Sequence, residues 1–126
     1  MLNLNYAGLQ DRAAWEDAGV SLPNYDWKAM AAETEVNPTW VHFGAGNIFR
    51  AFIAKLQHDL LNQGLVKGGI VAADTFDFDN INMIYHPHDA MTMLVLLMPL
   101  EMEATTSFFM DPSGISRTSM VMASWG

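Results

Sequence analysis

Between residues 40 and 73 the spacing of apolar positions changes period twice. Trp40, Val41 and Phe43 form a short, nearly continuous apolar run around His42. Gly44-Ala45-Gly46 interrupts it. Ile48, Phe52, Ile53, Leu56, Leu60 and Leu61 then recur three and four residues apart, the signature of one helix face. Asn62-Gln63-Gly64 supplies a helix stop. Residues 69–73, Gly-Ile-Val-Ala-Ala, are again continuous, as in a buried strand. The order predicts strand, tight turn, a helix of about four turns, and a second strand. Two strands joined in this way form a parallel pair with a right-handed crossover.

The flanks are less regular. Residues 9–18 predict a short helix ended by Gly19, and Pro23-Asn24 marks a turn. Trp27, Met30 and Ala31 suggest a second short helix that stops before Asn37-Pro38. Residues 1–38 are therefore expected to pack beside the main unit, with Trp15, Tyr25 and Trp27 as anchors. Residues 75–80 read as a loop, 81–85 as one or two helical turns ended by Pro87, and 91–98 as a third strand. Beyond residue 99 the periodicity is weak, and the methionines at 91, 93, 98, 102 and 110 read as core filler.

The glycine turn carries the candidate chemistry. A strand that runs into Gly-x-Gly and then a helix is the first half of a dinucleotide-binding βαβ unit. Gly44 would let the chain turn out of the strand, and Gly46 would let a pyrophosphate approach the backbone. The free N–H groups of the next helix would then face that anion. The third fingerprint position holds Phe49 instead of glycine, which predicts a wider or differently tilted helix. An ordinary strand-to-helix turn would show the same two glycines. Asn47 could cap the helix or donate to phosphate. Arg50 opposes the helix dipole, so it calls for an anion or is simply a surface charge. Asp74 follows the second strand, where an acid can accept hydrogen bonds from a ribose and repel the 2′-phosphate of NADP. Its distance from Gly46 exceeds the usual ~20 residues. The candidate cofactor residues are thus Gly44, Ala45, Gly46, Asn47, Ile48, Phe49 and Arg50, with Asp74 across from them. The fold class expected is α/β: a partial Rossmann-type parallel sheet with flanking helices and an N-terminal helical extension.

Composition narrows the partners. The chain has 126 residues, 51% hydrophobic and 16% charged, enough for one small ordered domain. A net charge of −8 without a basic cluster argues against nucleic acid or an anionic membrane as partner. The absence of cysteine removes disulfides, zinc–thiolate sites and thiol catalysis, and fits a reducing cytoplasm. No signal peptide is evident at the start, and no apolar run is long enough to span a bilayer. His86-Pro87-His88-Asp89 lacks further metal ligands, and Asp74, Asp77 and Asp79 lack the glycine and distal glutamate of a calcium loop. No metal is expected. His42 reads as a satisfied core or subunit-contact histidine rather than a catalyst.

Residues 37–52, Asn-Pro-Thr-Trp-Val-His-Phe-Gly-Ala-Gly-Asn-Ile-Phe-Arg-Ala-Phe, resemble the N-terminal nucleotide-binding segment of the mannitol dehydrogenase family. That group includes polyol dehydrogenases, mannitol-1-phosphate dehydrogenases, and fructuronate and tagaturonate reductases. The likeness continues through Ala72-Ala73-Asp74-Thr75-Phe76-Asp77-Phe78-Asp79, Ile84-Tyr85 and residues 89–96, and covers roughly residues 1–97. The resemblance implies metal-free hydride transfer between NAD and a small polyol, ketose or keto-sugar acid. Gly44, Gly46, Asn47 and Arg50 would line the cofactor phosphates, and Asp74 would take the ribose and favour NAD. The family's catalytic lysine, asparagine and histidine belong to a helical C-terminal domain with no counterpart here, so the chain is expected to be incomplete and inactive alone. The division implied is an extension (1–38), a nucleotide-binding segment (39–98) and an atypical tail (99–126). A change of reading frame near residues 97–100 would produce such a tail, as would divergence or truncation.

Overall fold

The computed structural model describes residues 1–74, 76, 78–96 and 117–122. Expectations for the rest of the tail, including the frame change near 97–100 and Met98, Met102 and Met110, lie outside the described residues, as do Thr75 and Asp77. The fold is α/β: a small parallel sheet of two strands flanked by helices, a partial Rossmann-like unit with helices ahead of it.

The first helix, α1 (Arg12–Asp17), follows a 3-10 turn at Gly8–Gln10 and starts where the Asp11 side chain accepts from the Ala14 N–H at 3.3 Å. A short strand, β1 (Val20–Ser21), leads to α2 (Trp27–Val36), which Asp26 caps by accepting from the Ala29 N–H at 3.0 Å. Trp15 is buried, and its indole donates to the Gly8 carbonyl at 2.9 Å. It packs with Leu9, Val20, Met30, Leu61 and Met91, with Tyr25 and Trp27 partly buried at the margin. The three aromatic anchors expected from the sequence thus surround one cluster.

Strand β2 (Val41–Phe43) pairs in parallel with β3 (Val71–Ala73), with Val41 opposite Val71, His42 opposite Ala72 and Phe43 opposite Ala73. Between them, the helical segment of residues 47–62 is not uniform. It contains a π-helical turn, Phe49–Ile53, closed by the Ala54 N–H bonding to the Phe49 carbonyl, and then α3 (Ala54–Asn62). This wide turn alters the buried face. The spacing predicted Ile48, Phe52, Ile53, Leu56, Leu60 and Leu61 inward. Leu61 is buried as expected and Ile53 and Leu60 are half-buried, but Ile48, Phe52 and Leu56 are exposed, and Phe49, Ala54, Gln57 and His58 are buried in their place. The extra residue in the turn puts Phe49 and Ala54, five apart, on one side. Gly64, at φ +71°, ends α3: its N–H bonds to the Leu61 carbonyl, and the Leu65 N–H bonds to that of Leu60. This paired geometry satisfies two end carbonyls and suits a residue without Cβ.

Two buried side chains fix the entry to β3. Thr34 donates to the Met30 carbonyl and accepts from the Gly69 N–H, both at 2.7 Å. Gln57 donates to the Gly68 carbonyl at 2.7 Å. On the helix-covered face of the sheet, Ala45, Phe49, Ala54, Ile70, Ala72, Ile81 and Tyr85 form a second core cluster. The other face is open: Val41 and Phe43 are exposed, and Val71 and Ala73 are only half-buried, so β3 is not the fully buried strand expected.

After β3, residues expected to be a loop already turn helically at α4 (Phe78–Asn80), followed by a π turn at Ile81–Tyr85 and a 3-10 turn at His86–His88. Pro87 does not end this run. It occupies the start of the 3-10 turn, where its missing N–H is not required. Asp89 and Ala90, at φ 51° and 59°, turn the chain instead. Strand β4 (Met91–Leu96) then pairs antiparallel with β5 (Arg117–Met122), and β5 pairs in parallel with β1. Neither β1 nor β5 was expected, and the third strand therefore lies in a separate sheet. Met91 is core, but Met93 is half exposed and fills no core position. Among the described residues no helix is long and apolar enough to cross a membrane.

Candidate functional site

Parallel pairing brings the C-terminal ends of β2 and β3 to one edge. Gly44 and Asp74 follow the paired residues Phe43 and Ala73, so they leave the sheet side by side. The Gly44 N–H bonds to the Ala73 carbonyl at 2.7 Å, extending the ladder by one bond. Gly44 then takes φ +105°, a conformation open to glycine and strained for other residues. The chain turns there and enters the helix at Gly46, whose carbonyl accepts the Arg50 N–H at 3.1 Å. The N–H groups of Asn47, Ile48 and Phe49 lie in the first turn, before any intrahelical acceptor exists for them. A Cβ built on Gly46 meets no atom within 4 Å. The space in front of this turn is open.

The candidate residues divide by direction. Ala45 and Phe49 bury their side chains, so only their backbone groups could meet a ligand. Ile48 is 81% exposed and Asn47 is also exposed. Arg50 is half-buried and turned back on the loop: it donates to the Ala45 carbonyl at 2.9 Å and to the Asn47 side-chain oxygen. Its guanidinium carbon lies 5.8 Å from the centre of the Tyr85 ring. Asp74 accepts from the Phe76 N–H at 3.1 Å.

Tyr85 lies beneath this loop, fully buried, and its hydroxyl donates to the Ala45 carbonyl at 2.7 Å. Burial pushes the hydroxyl pKa above the ordinary tyrosine value. Arg50 opposes that rise, and Asp74 adds to it. In the sequence Tyr85 marks the end of a short helical segment and belongs to the resemblance. Its hydrophobic neighbours, Ile81 and Ile84, gave no sign that it reaches the glycine turn. His42 donates from Nδ1 to the Gly44 carbonyl at 2.9 Å, and its ring packs on Phe49 with centroids 4.8 Å apart. It braces the turn from the sheet side.

The two histidines of residues 86–88 are held elsewhere. His86 bonds to the Asn82 side chain at 3.1 Å, and His88 donates to the Leu4 carbonyl at 2.9 Å. Among the described residues no three histidine, aspartate or glutamate side chains gather as a metal site would require. A surface hollow of about 420 Å³, lined by Tyr25, Met30, Glu33, Leu61 and Lys67 among others, lies between α2 and the end of α3, away from the glycine turn. It carries no convergent polar constellation.

This chain is similar to the D-mannonate oxidoreductase of Thermotoga maritima, with 40% identity over 98 residues. It is a homologue of an oxidoreductase. The match covers 78% of this chain and 18% of that relative, so the chain spans under a fifth of the relative's length. The relative's name places it in carbohydrate chemistry, in line with the sugar-acid branch of the resemblance. No family model matches the chain, and no solved structure does.

Proposed function

We propose that this chain is the nicotinamide-dinucleotide-binding portion of a sugar-acid oxidoreductase, with NAD as its cofactor. The observation that carries the proposal is the pairing of Gly44–Gly46 with Asp74 at one edge of a parallel β2–β3 pair, in a chain 40% identical to an oxidoreductase. The N–H groups of residues 46–49 would receive the pyrophosphate. Asp74 would accept from the adenosine ribose hydroxyls, and its charge would disfavour NADP. The bound nicotinamide would accept a hydride from a carbinol carbon, or return it to a ketone, while a base or acid handles the hydroxyl proton. No residue of this chain is assigned that proton. The substrate class is a sugar acid of the mannonate type or its keto counterpart, handled by a larger parent of which this chain would be the cofactor arm.

A titration of the protein with NADH, followed by nicotinamide fluorescence, tests the proposal. Saturable binding is expected. Gly46→Val should weaken it by at least about tenfold, because the side chain would fill the space the pyrophosphate needs. Asp74→Ala should weaken NADH by about tenfold and narrow its margin over NADPH. Equal affinities in all three proteins would remove the glycine turn and Asp74 from the reading. A second reading, a nucleotide-binding or interaction fragment without catalysis, draws on the open sheet face at Val41 and Phe43. NADH binding with no turnover, even when the rest of the parent is supplied, would favour it.

A further inference from the structure

The Ala45 carbonyl is held by two side-chain donors. It accepts from the Tyr85 hydroxyl at 2.7 Å and from Arg50 Nη1 at 2.9 Å, which engages both of its lone pairs. The Tyr85 hydroxyl lies on the core side of the loop, where Ala45 and Tyr85 are fully buried, and the half-buried Arg50 guanidinium lies 5.8 Å from the centre of the Tyr85 ring. The peptide joining Ala45 to Gly46 is trans, so the Gly46 N–H points opposite to that carbonyl. A carbonyl held inward therefore sends the N–H the other way, away from the buried Tyr85 hydroxyl, at a residue where an added Cβ would also meet no atom within 4 Å. Glycine opposes rotation of its own φ weakly, so Gly46 alone does little to select this orientation. The reverse orientation would present a carbonyl oxygen where an N–H is needed.

We infer that Tyr85, together with Arg50, is a positioning residue that orients the Ala45–Gly46 peptide so that its N–H faces a bound pyrophosphate. The inference rests on the cofactor reading above and deepens it. It also changes the role of Arg50. The resemblance implies a direct phosphate ligand, whereas the side chain here is turned onto Ala45 and Asn47 and acts through the loop. Tyr85 reaches the turn from 40 residues away in sequence, from a π turn in the segment after β3. The segment that follows Asp74 thus braces the opposite side of the site.

Tyr85→Phe keeps the ring and removes the hydroxyl. Three measurements are made on the wild type and this variant: the ¹H–¹⁵N signal and exchange rate of the Gly46 amide without ligand, the NADH dissociation constant, and the thermal midpoint. The inference expects the Gly46 signal to move and its exchange to change. It expects NADH affinity to fall about tenfold, the size of one lost hydrogen bond, with the fold retained. An unchanged Gly46 amide overturns it, as does a shifted amide with unchanged NADH affinity. Arg50→Gln, read in the same way, decides the matter if Tyr85→Phe does not fold, since it removes the other donor. Failure of the wild type to bind NADH would instead overturn the cofactor reading, a result distinct from wild-type binding that the variants leave intact.

Discussion

Phe49 stands where a dinucleotide fingerprint normally has glycine, and the structure shows what it does there. It is 3% exposed and packs with Ala45, Ile70, Ala72 and Tyr85 under the turn. The usual glycine lets helix and strand approach closely; here a large ring fills the space and the helix widens into a π turn from the same residue. Phe49→Ala should cost about 3 kcal/mol or more, the range for an emptied aromatic site, measurable by urea denaturation. A loss under about 1 kcal/mol would mean that the ring is not the wedge it looks to be. Thr34 is a second residue of this kind. Thr34→Val keeps the shape and leaves the buried Gly69 N–H without its acceptor, for an expected loss of about 1–3 kcal/mol. The sequence predicted a wider or differently tilted helix from Phe49, but neither the ring's packing partners nor the Thr34 bond to Gly69 was legible in it. Phe49 departs from a motif and Thr34 is a polar residue within α2, and for both a partner far along the chain decides the role.

At the scale of elements, the strand, turn, helix, strand order was legible because each piece has its own hydrophobic period. The face of the helix was not, since a constant 3.6-residue period cannot foresee a five-residue turn. Strands β1 and β5 also escaped, the first being two residues long and the second lacking alternation. The candidate site was legible as a location, from Gly44, Gly46 and Asp74, but not in its internal bracing by Tyr85. The same limit applies to the join between α3 and the N-terminal extension. His58, 2% exposed, accepts from Asn62 Nδ2 at Nε2 (3.0 Å), which leaves Nδ1–H to donate to the Tyr25 hydroxyl at 2.9 Å. The Asn62 oxygen accepts the Asn24 N–H at 3.0 Å. Burial lowers the His58 pKa from 6.5 to about 4; Lys55 on the same helix adds to the fall, and Asp59 opposes it. The neutral ring is the one that fits, so the unfolded chain takes up the proton first as pH drops. Stability is therefore fully present above pH 6.5 and declines as pH falls toward 4, by on the order of 3 kcal/mol. Urea unfolding at a series of pH values should show this slope, and His58→Gln should flatten it. Equal slopes in both proteins would assign the pH dependence to other groups.

Across the whole molecule, the described core is one-sided. His42 and Ala72 face the helix, while Val41 and Phe43 face outward on the bare side of the sheet. Phe43, Ile48, Phe52, Phe76, Phe78 and Met83 are all more than half exposed. Parallel sheets are ordinarily covered on both faces. The chain is therefore expected to bind a hydrophobic dye and to associate as its concentration rises. Light scattering and dye fluorescence across a dilution series check this. A dispersed protein that ignores the dye at every concentration would contradict it.

The π turn at Phe49–Ile53 also leaves a trace that needs no structure to find. It holds one residue more than a regular turn between the glycine loop and the buried run of Ala54, Gln57, His58 and Leu61. A relative whose helix is regular there should lack one position between the second glycine and that run, or its inward pattern would be rotated by about 100°. Aligned chains would then part by a single-residue gap within residues 49–53. Such a gap separates lineages more cleanly than a substitution, because a later point change cannot undo it.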